Sequence, residues 1–312
     1  MKLSSILYAL VSLGIIVSAP LRAQTGGGVL IITPPGGGGG GGTIPSPGPP
    51  VPVGSGPRSE LFLTDVRRDR LLSITGTSLT LDVALVSGNE RALAVIDTIR
   101  TMPSTAGHVG TEYSLAGVPT GSSYDASVGL SGNFFDGTTD GRFNYAWNYY
   151  EGAAYRFDLQ WGNPIELFSL GVTDGHRLGI TFDITNNSLW IAGDADGPAA
   201  GMIENRSLTG ELLSAFSTGW VNNWALALDP LDGTLWTVNG YRSTATLLLL
   251  EQYSRTGTFL GRTTVVTPAQ YTAFGGEFAF TGTVVPEPSS ALLALSGAGV
   301  ILLRRRPRKT RD

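Results

Sequence analysis

Two stretches of the chain, GITFDITNNSLWIAGD (179–194) and ALALDPLDGTLWTVNG (225–240), align without a gap. That repeat limits the fold more than any other feature of the sequence. Asp183 falls opposite Asp229, and Leu189-Trp190 opposite Leu235-Trp236, at an offset of 46 residues. Downstream, IENRSLTGELL (203–213) parallels LEQYSRTGTFL (250–260) through a shared Ser-x-Thr-Gly. Each unit reads as strand, Asp-led turn, Trp-bearing strand, longer loop, strand, Thr-Gly turn and strand. The alternation in ITFDI and ALALD puts every second side chain on one face. Asn-Asn and Asp-Gly tolerate the left-handed positions of tight turns. Four antiparallel strands in about 46 residues is the size of a β-propeller blade. A lone sheet of this kind cannot cover both faces, so several must stack around an axis.

Fainter copies extend the pattern. LFLTDVRRDRLLSI (61–74) repeats the strand–Asp–strand spacing, and residues 124–170 have the length of one unit. GGEFAF (275–280) reads as one more first strand, placed to close a ring with N-terminal material. The body, 59–283, is therefore expected to be an all-β propeller of about five four-stranded blades, with a β-sandwich as the alternative. Residues 87–121 fit the unit least well. The two clear repeats, Leu178–Thr267, resemble NHL- and YVTN-type propeller repeats.

Outside the body the composition changes. Lys2 and the apolar run ILYALVSLGIIVSA, ending at Leu21-Arg22-Ala23, read as a secretory signal over 1–23. Residues 24–58 hold seven consecutive glycines and then a proline-rich stretch, the makeup of a disordered spacer. No strand precedes those glycines and no Gly-Lys-Ser/Thr closes them, so they are not a phosphate loop. The chain has no cysteine, which excludes disulfides, thiolate metal sites and a cysteine nucleophile. Between Gln24 and Pro288 there are 13 arginines and no lysine against 24 carboxylates, a net charge of −11. Such a body repels phosphate backbones, so nucleic acid is not an expected partner.

The C-terminus carries a different message. Val285-Pro286-Glu287-Pro288 is followed by 13 uncharged residues, Ala291–Leu303, and then by Arg304-Arg305-Arg306. As a helix, 289–303 would span about 22 Å, short of the ~30 Å hydrocarbon core. The positive cluster behind it would hold that end in the cytoplasm. These three parts, over 284–312, resemble the sorting signal of PEP-CTERM proteins. The resemblance implies an exosortase-type membrane protease as partner, cutting near Pro286–Pro288 after transient insertion in the inner membrane. It also implies release to the surface or matrix of a Gram-negative bacterium that makes extracellular polysaccharide.

Candidate chemistry is sparse. Asp194 and Asp196 are spaced like the opening of a calcium loop, but position 12 from Asp194 is Asn205 instead of Glu. Asp136 and Asp140 offer a similar pair. Asp183 and Asp229 recur in each repeat, as turn residues do and a single catalytic constellation does not. Trp190 and Trp236 recur likewise and are expected between blades. His108 and His176 are the two histidines, and His176 lies near Asp174 with no identifiable nucleophile. The segment RFNYAWNYYEGAAYRFDLQW (142–161) interleaves aromatic rings with Asn, Arg, Asp and Gln, a mixture suited to sugar faces and hydroxyl rims. It supplies the ligand-binding candidates Tyr145, Trp147, Tyr149, Tyr150, Tyr155 and Trp161, the alternative being that the rings fill gaps between blades. The expectation is an exported, non-enzymatic binding or scaffold protein with no cofactor, working in an extracellular polysaccharide layer. A calcium-dependent propeller hydrolase or lyase acting on a carbohydrate or lactone is the alternative.

Overall fold

A computed structural model describes residues 59–279 apart from 105–108, 126–129, 131–132, 173–175, 195–197, 241–242 and 245. The signal, the spacer, the sorting motif Val285–Pro288, the cluster Arg304–Arg306, and Asp196, His108 and Asp174 lie outside the described residues. Twenty strands form five four-stranded antiparallel sheets. Blade 2 is β4 (Glu90–Val95), β5 (Thr98–Pro103), β6 (Gly110–Ser114) and β7 (Pro119–Tyr124). Blade 3 is β8 (Phe134–Thr139), β9 (Asn144–Asn148), β10 (Ala153–Phe157) and β11 (Ile165–Ser169). Blade 4 is β12 (Arg177–Asp183), β13 (Ser188–Gly193), β14 (Met202–Ser207) and β15 (Leu212–Ser217). Blade 5 is β16 (Asn223–Leu228), β17 (Leu235–Asn239), β18 (Leu247–Tyr253) and β19 (Phe259–Val266). Blade 1 joins the two ends of the body: β20 (Ala273–Phe278) pairs with β1 (Leu61–Asp65), followed by β2 (Arg70–Thr75) and β3 (Ser78–Ala84).

The first strand of each blade packs against its counterparts in the neighbouring blades, which makes the ring a β-propeller and rules out the sandwich. Tyr124 ends blade 2, so the unit read at 124–170 is in fact blade 3 with the last residue of its predecessor. The strand–Asp–strand match at 61–74 also changes meaning. It is the hairpin between the second and third strands of blade 1, because β20 supplies the first.

Packing explains why a ring forms. Five buried apolar clusters coincide with the five seams between blades. Trp190 packs on Leu226 and Leu228 between blades 4 and 5, and Trp236 on Phe278 between blades 5 and 1. The repeated tryptophans thus lie in the seams, each large ring burying apolar area worth roughly 1.5–3 kcal/mol or more. The repeated aspartates hold turns. Asp183 accepts Thr185 N–H at 3.0 Å and Trp190 Nε1–H at 3.0 Å. Asp229 accepts Leu231 N–H at 2.9 Å and the Ser59 hydroxyl at 2.7 Å, tying the start of the body to blade 5. Outer strands such as β7 are exposed almost throughout, whereas the inner strand β12 is buried along its length.

Candidate functional site

The innermost strand of each blade has one edge with no partner strand, so its N–H groups facing the axis need other acceptors. A single side chain supplies acceptors for four of them. Asp136, on β8, has its carboxylate fully buried on the axis. Its Oδ2 accepts Ile180 N–H of β12 at 2.9 Å and Leu226 N–H of β16 at 3.0 Å. Its Oδ1 accepts Gly276 N–H of β20 at 2.8 Å and its neighbour Gly137 N–H at 2.9 Å. Thr138 accepts Phe182 N–H at 3.0 Å, and Thr181 accepts Leu228 N–H at 3.1 Å. One carboxylate therefore ties the inner strands of blades 3, 4, 5 and 1.

Glu277, buried beside it, accepts Phe278 N–H at 3.0 Å while its Oε2 has no partner. Burial, together with the neighbouring Asp136, pushes the Glu277 carboxyl well above the usual carboxylate range. Burial also raises Asp136, against the four N–H bonds that favour its charged form. Burial thus disfavours the charged form of both carboxyls, and both side chains are shut away from the surface. The calcium reading at Asp136 and Asp140 has no support here. Asp136 is committed to the axis, and Asp140 caps a turn by accepting Arg142 and Phe143 N–H, each at 2.7 Å. Among the described residues no three carboxylates or histidines group as a metal site.

Accessible side chains gather where the inner strands begin. The second residue of each inner strand points there: Arg91, Phe135, Trp224 and Phe274 are half-buried, and Leu178 is buried. Phe135 meets Phe274 edge-on at 5.3 Å and Tyr149 at 5.4 Å. Phe274 meets Trp224 at 5.1 Å. Tyr149 meets Tyr150 at 5.3 Å and stacks on His176 at 4.7 Å, its hydroxyl donating to Asp194 at 3.1 Å. Trp224 lies flat over Gly240, where any Cβ would strike the indole. Arg91 lies over the Phe135 ring, 4.8 Å from its centroid. The result is an aromatic mouth with a hydroxyl, an imidazole, a carboxylate and a guanidinium on its rim.

Of the six rings singled out in 142–161, two reach this mouth. Tyr149 is half-buried and Tyr150 is 58% exposed. Tyr145, Trp147, Tyr155 and Trp161 are buried in seams of blade 3, and a ring enclosed on both faces cannot stack on a sugar. Trp161 even donates its Nε1–H to Arg100 O of blade 2, at 3.2 Å. These four rings fill gaps between blades. Arg91, Phe135, Trp224 and Phe274 were not anticipated. Their signal is positional, a large residue second in each first strand, and it becomes visible once the five first strands are aligned.

No family model matches the chain, and no curated protein matches it. Among solved structures it is similar to a chain of a nidogen–laminin complex, at 12% identity and a TM-score of 0.49, over 72% of this chain and 99% of that one. A catalytically inactive virginiamycin B lyase from Staphylococcus aureus with quinupristin matches at 14% identity and a TM-score of 0.41, over 64% of each chain. Glutaminyl cyclase of Myxococcus xanthus matches at 15% identity and a TM-score of 0.37, over 71% of this chain and 77% of that one.

Proposed function

We propose that this is an exported, non-enzymatic binding protein of an extracellular polysaccharide layer, and that the aromatic mouth of its propeller holds the glycan. The observation that carries this reading is the rim formed by Phe135, Tyr149, Tyr150, Trp224 and Phe274, set over an axis sealed by Asp136. Flat rings bordered by polar groups suit the apolar face and hydroxyl edge of a sugar. Beneath them Asp136 and Glu277 are buried and accept backbone N–H groups of the inner strands. The C-terminal resemblance supplies the address: insertion of 289–303 in the inner membrane, cutting near Val285–Pro288 by an exosortase-type protease, and delivery to the cell surface or matrix.

Two measurements test this. The intact mass of the protein from its producing cells is expected to lack Ala291–Asp312, and a chain that keeps them removes the sorting claim. Calorimetric titration with the cells' own matrix polysaccharide, with calcium and with chelator, is expected to give calcium-independent saturable binding that Tyr150→Ala weakens. Heat that continues after saturation and requires calcium would replace binding by turnover on a carbohydrate or lactone.

A further inference from the structure

We infer that the mouth reads charge as well as shape: Arg91 receives the carboxylate of an acidic sugar while the adjoining rings hold the sugar face. This deepens the glycan-binding reading and rests on it.

Between Gln24 and Pro288 there is no lysine, so arginine supplies the permanent positive charges. Most of these arginines have evident partners. Arg70 pairs with Asp82 at 2.6 Å, Arg100 with Glu112 at 3.0 Å, Arg177 and Arg206 with Glu204 at 2.9 and 2.8 Å, and Arg262 with Glu251 at 2.5 Å. Arg67 donates to Gln270, and Arg255 pairs with Asp183 at 3.4 Å. The Arg91 guanidinium makes no ion pair or hydrogen bond among the described residues, and its Nε is buried without an acceptor. Burial lowers its pKa below the ordinary arginine value, and Asp69 and Tyr150 act on it only through space.

A half-buried guanidinium without an acceptor is costly to maintain. What faces it is a hydrophobic ring, Phe135, which holds the group by cation–π contact and screens one face from water. That leaves the fork without the acceptor it is built to grip, and a carboxylate is the group that matches it bidentately. Tyr150, Phe135 and Phe274 border the same point, so an acid group on Arg91 would bring its sugar ring against them. The acidic body opposes a polyanion, but beyond ~8 Å that repulsion is largely screened at physiological salt. Contact with Arg91 is not screened in that way. Asp69 is the nearby carboxylate that competes for Arg91, and Asp194 is engaged by the Tyr149 hydroxyl.

The test compares the mature protein's binding to polygalacturonate and to the same polymer with its carboxyl groups reduced to alcohols. Binding to the acid form is expected to be about tenfold to hundredfold tighter, the range of one charge-assisted hydrogen-bonded pair. Arg91→Gln should abolish that difference, and Arg91→Lys should restore part of it. Tyr150→Ala should weaken both polymers alike. Equal affinity of the wild-type protein for the two polymers overturns the role of Arg91 and leaves glycan binding standing, a comparison that needs no variant to fold. Binding of neither polymer overturns both readings for this class of sugar.

Discussion

Replacing Asp136 by alanine removes one acceptor from four backbone N–H groups, three of which belong to blades 4, 5 and 1. Those amides belong to buried residues. Each buried donor left unpaired costs about 1–3 kcal/mol, so three from other blades cost roughly 3–9 kcal/mol. Removing a buried carboxyl returns part of this, because the wild-type protein carries the desolvation cost of Asp136 itself. A net loss of about 3–5 kcal/mol is expected, a large part of the ~5–15 kcal/mol typical of a folded protein. For a body of this size that lowers Tm by about 6–20 °C. Urea unfolding followed by tryptophan fluorescence gives the magnitude, and native-state hydrogen exchange at Ile180, Leu226 and Gly276 gives its origin. Asp136→Asn keeps one acceptor oxygen and should fall between wild type and alanine. A loss below about 1 kcal/mol, or unchanged exchange at the three amides, would refute the view that one carboxylate ties the ring.

Glu277 has a pKa raised above its ordinary 4.5, so the stability it contributes is full below that value and is lost as pH rises through the folded pKa. Urea midpoints of Glu277→Gln should therefore depend less on pH than those of wild type from pH 4 to 8, and parallel curves would count against a proton held on the axis. Trp147→Ala should cost about 3–5 kcal/mol by emptying the seam between blades 3 and 4. Tyr150→Ala should change stability by less than about 0.5 kcal/mol while weakening the glycan, a contrast that denaturation and titration together can read. Gly275→Ala would drive its Cβ into Arg91 O and Thr64 Oγ1, and the backbone there cannot turn aside. A loss of about 1–3 kcal/mol is expected, measured by the same unfolding assay.

The ring was legible wherever a blade repeated its chemistry. Blades 4 and 5 share an Asp turn, a seam tryptophan and a Thr-Gly turn, so their registers align by eye. β20 was legible as a closing first strand because an alternating run beyond the last complete unit has nowhere else to pair. Blade 2 was hidden for physical reasons. Its β7, PTGSSY, is an exposed outer strand with no apolar face to alternate, β5 ends on Pro103, and its second strand lacks a tryptophan. The site was less visible than the fold. Aromatic density in 142–161 arises mostly from seam filling, and period-2 alternation does not say which face of a strand meets a seam. The mouth is built instead from Tyr149 and Tyr150 together with single residues on four different inner strands, far apart in sequence, and only ring closure brings them together.

The plug and the mouth are also one device. The N–H groups that Asp136 accepts belong to Gly137, Ile180, Leu226 and Gly276. Each lies two residues beyond a second-position residue of the rim: Phe135, Leu178, Trp224 and Phe274. The carboxylate thus fixes the backbone directly beneath three of the rim rings and beneath the buried Leu178. Arg91 is the exception, since no N–H of β4 is among those that Asp136 accepts. A pinned rim spares a ligand the entropy of ordering it, which improves affinity without adding a contact. Asp136→Asn, at temperatures where it stays folded, is accordingly expected to weaken glycan binding through a less favourable entropy although no atom of Asp136 touches the ligand. Calorimetry at two temperatures separates the terms, and an unchanged affinity in a demonstrably loosened axis would show that the rim holds its shape by aromatic packing alone.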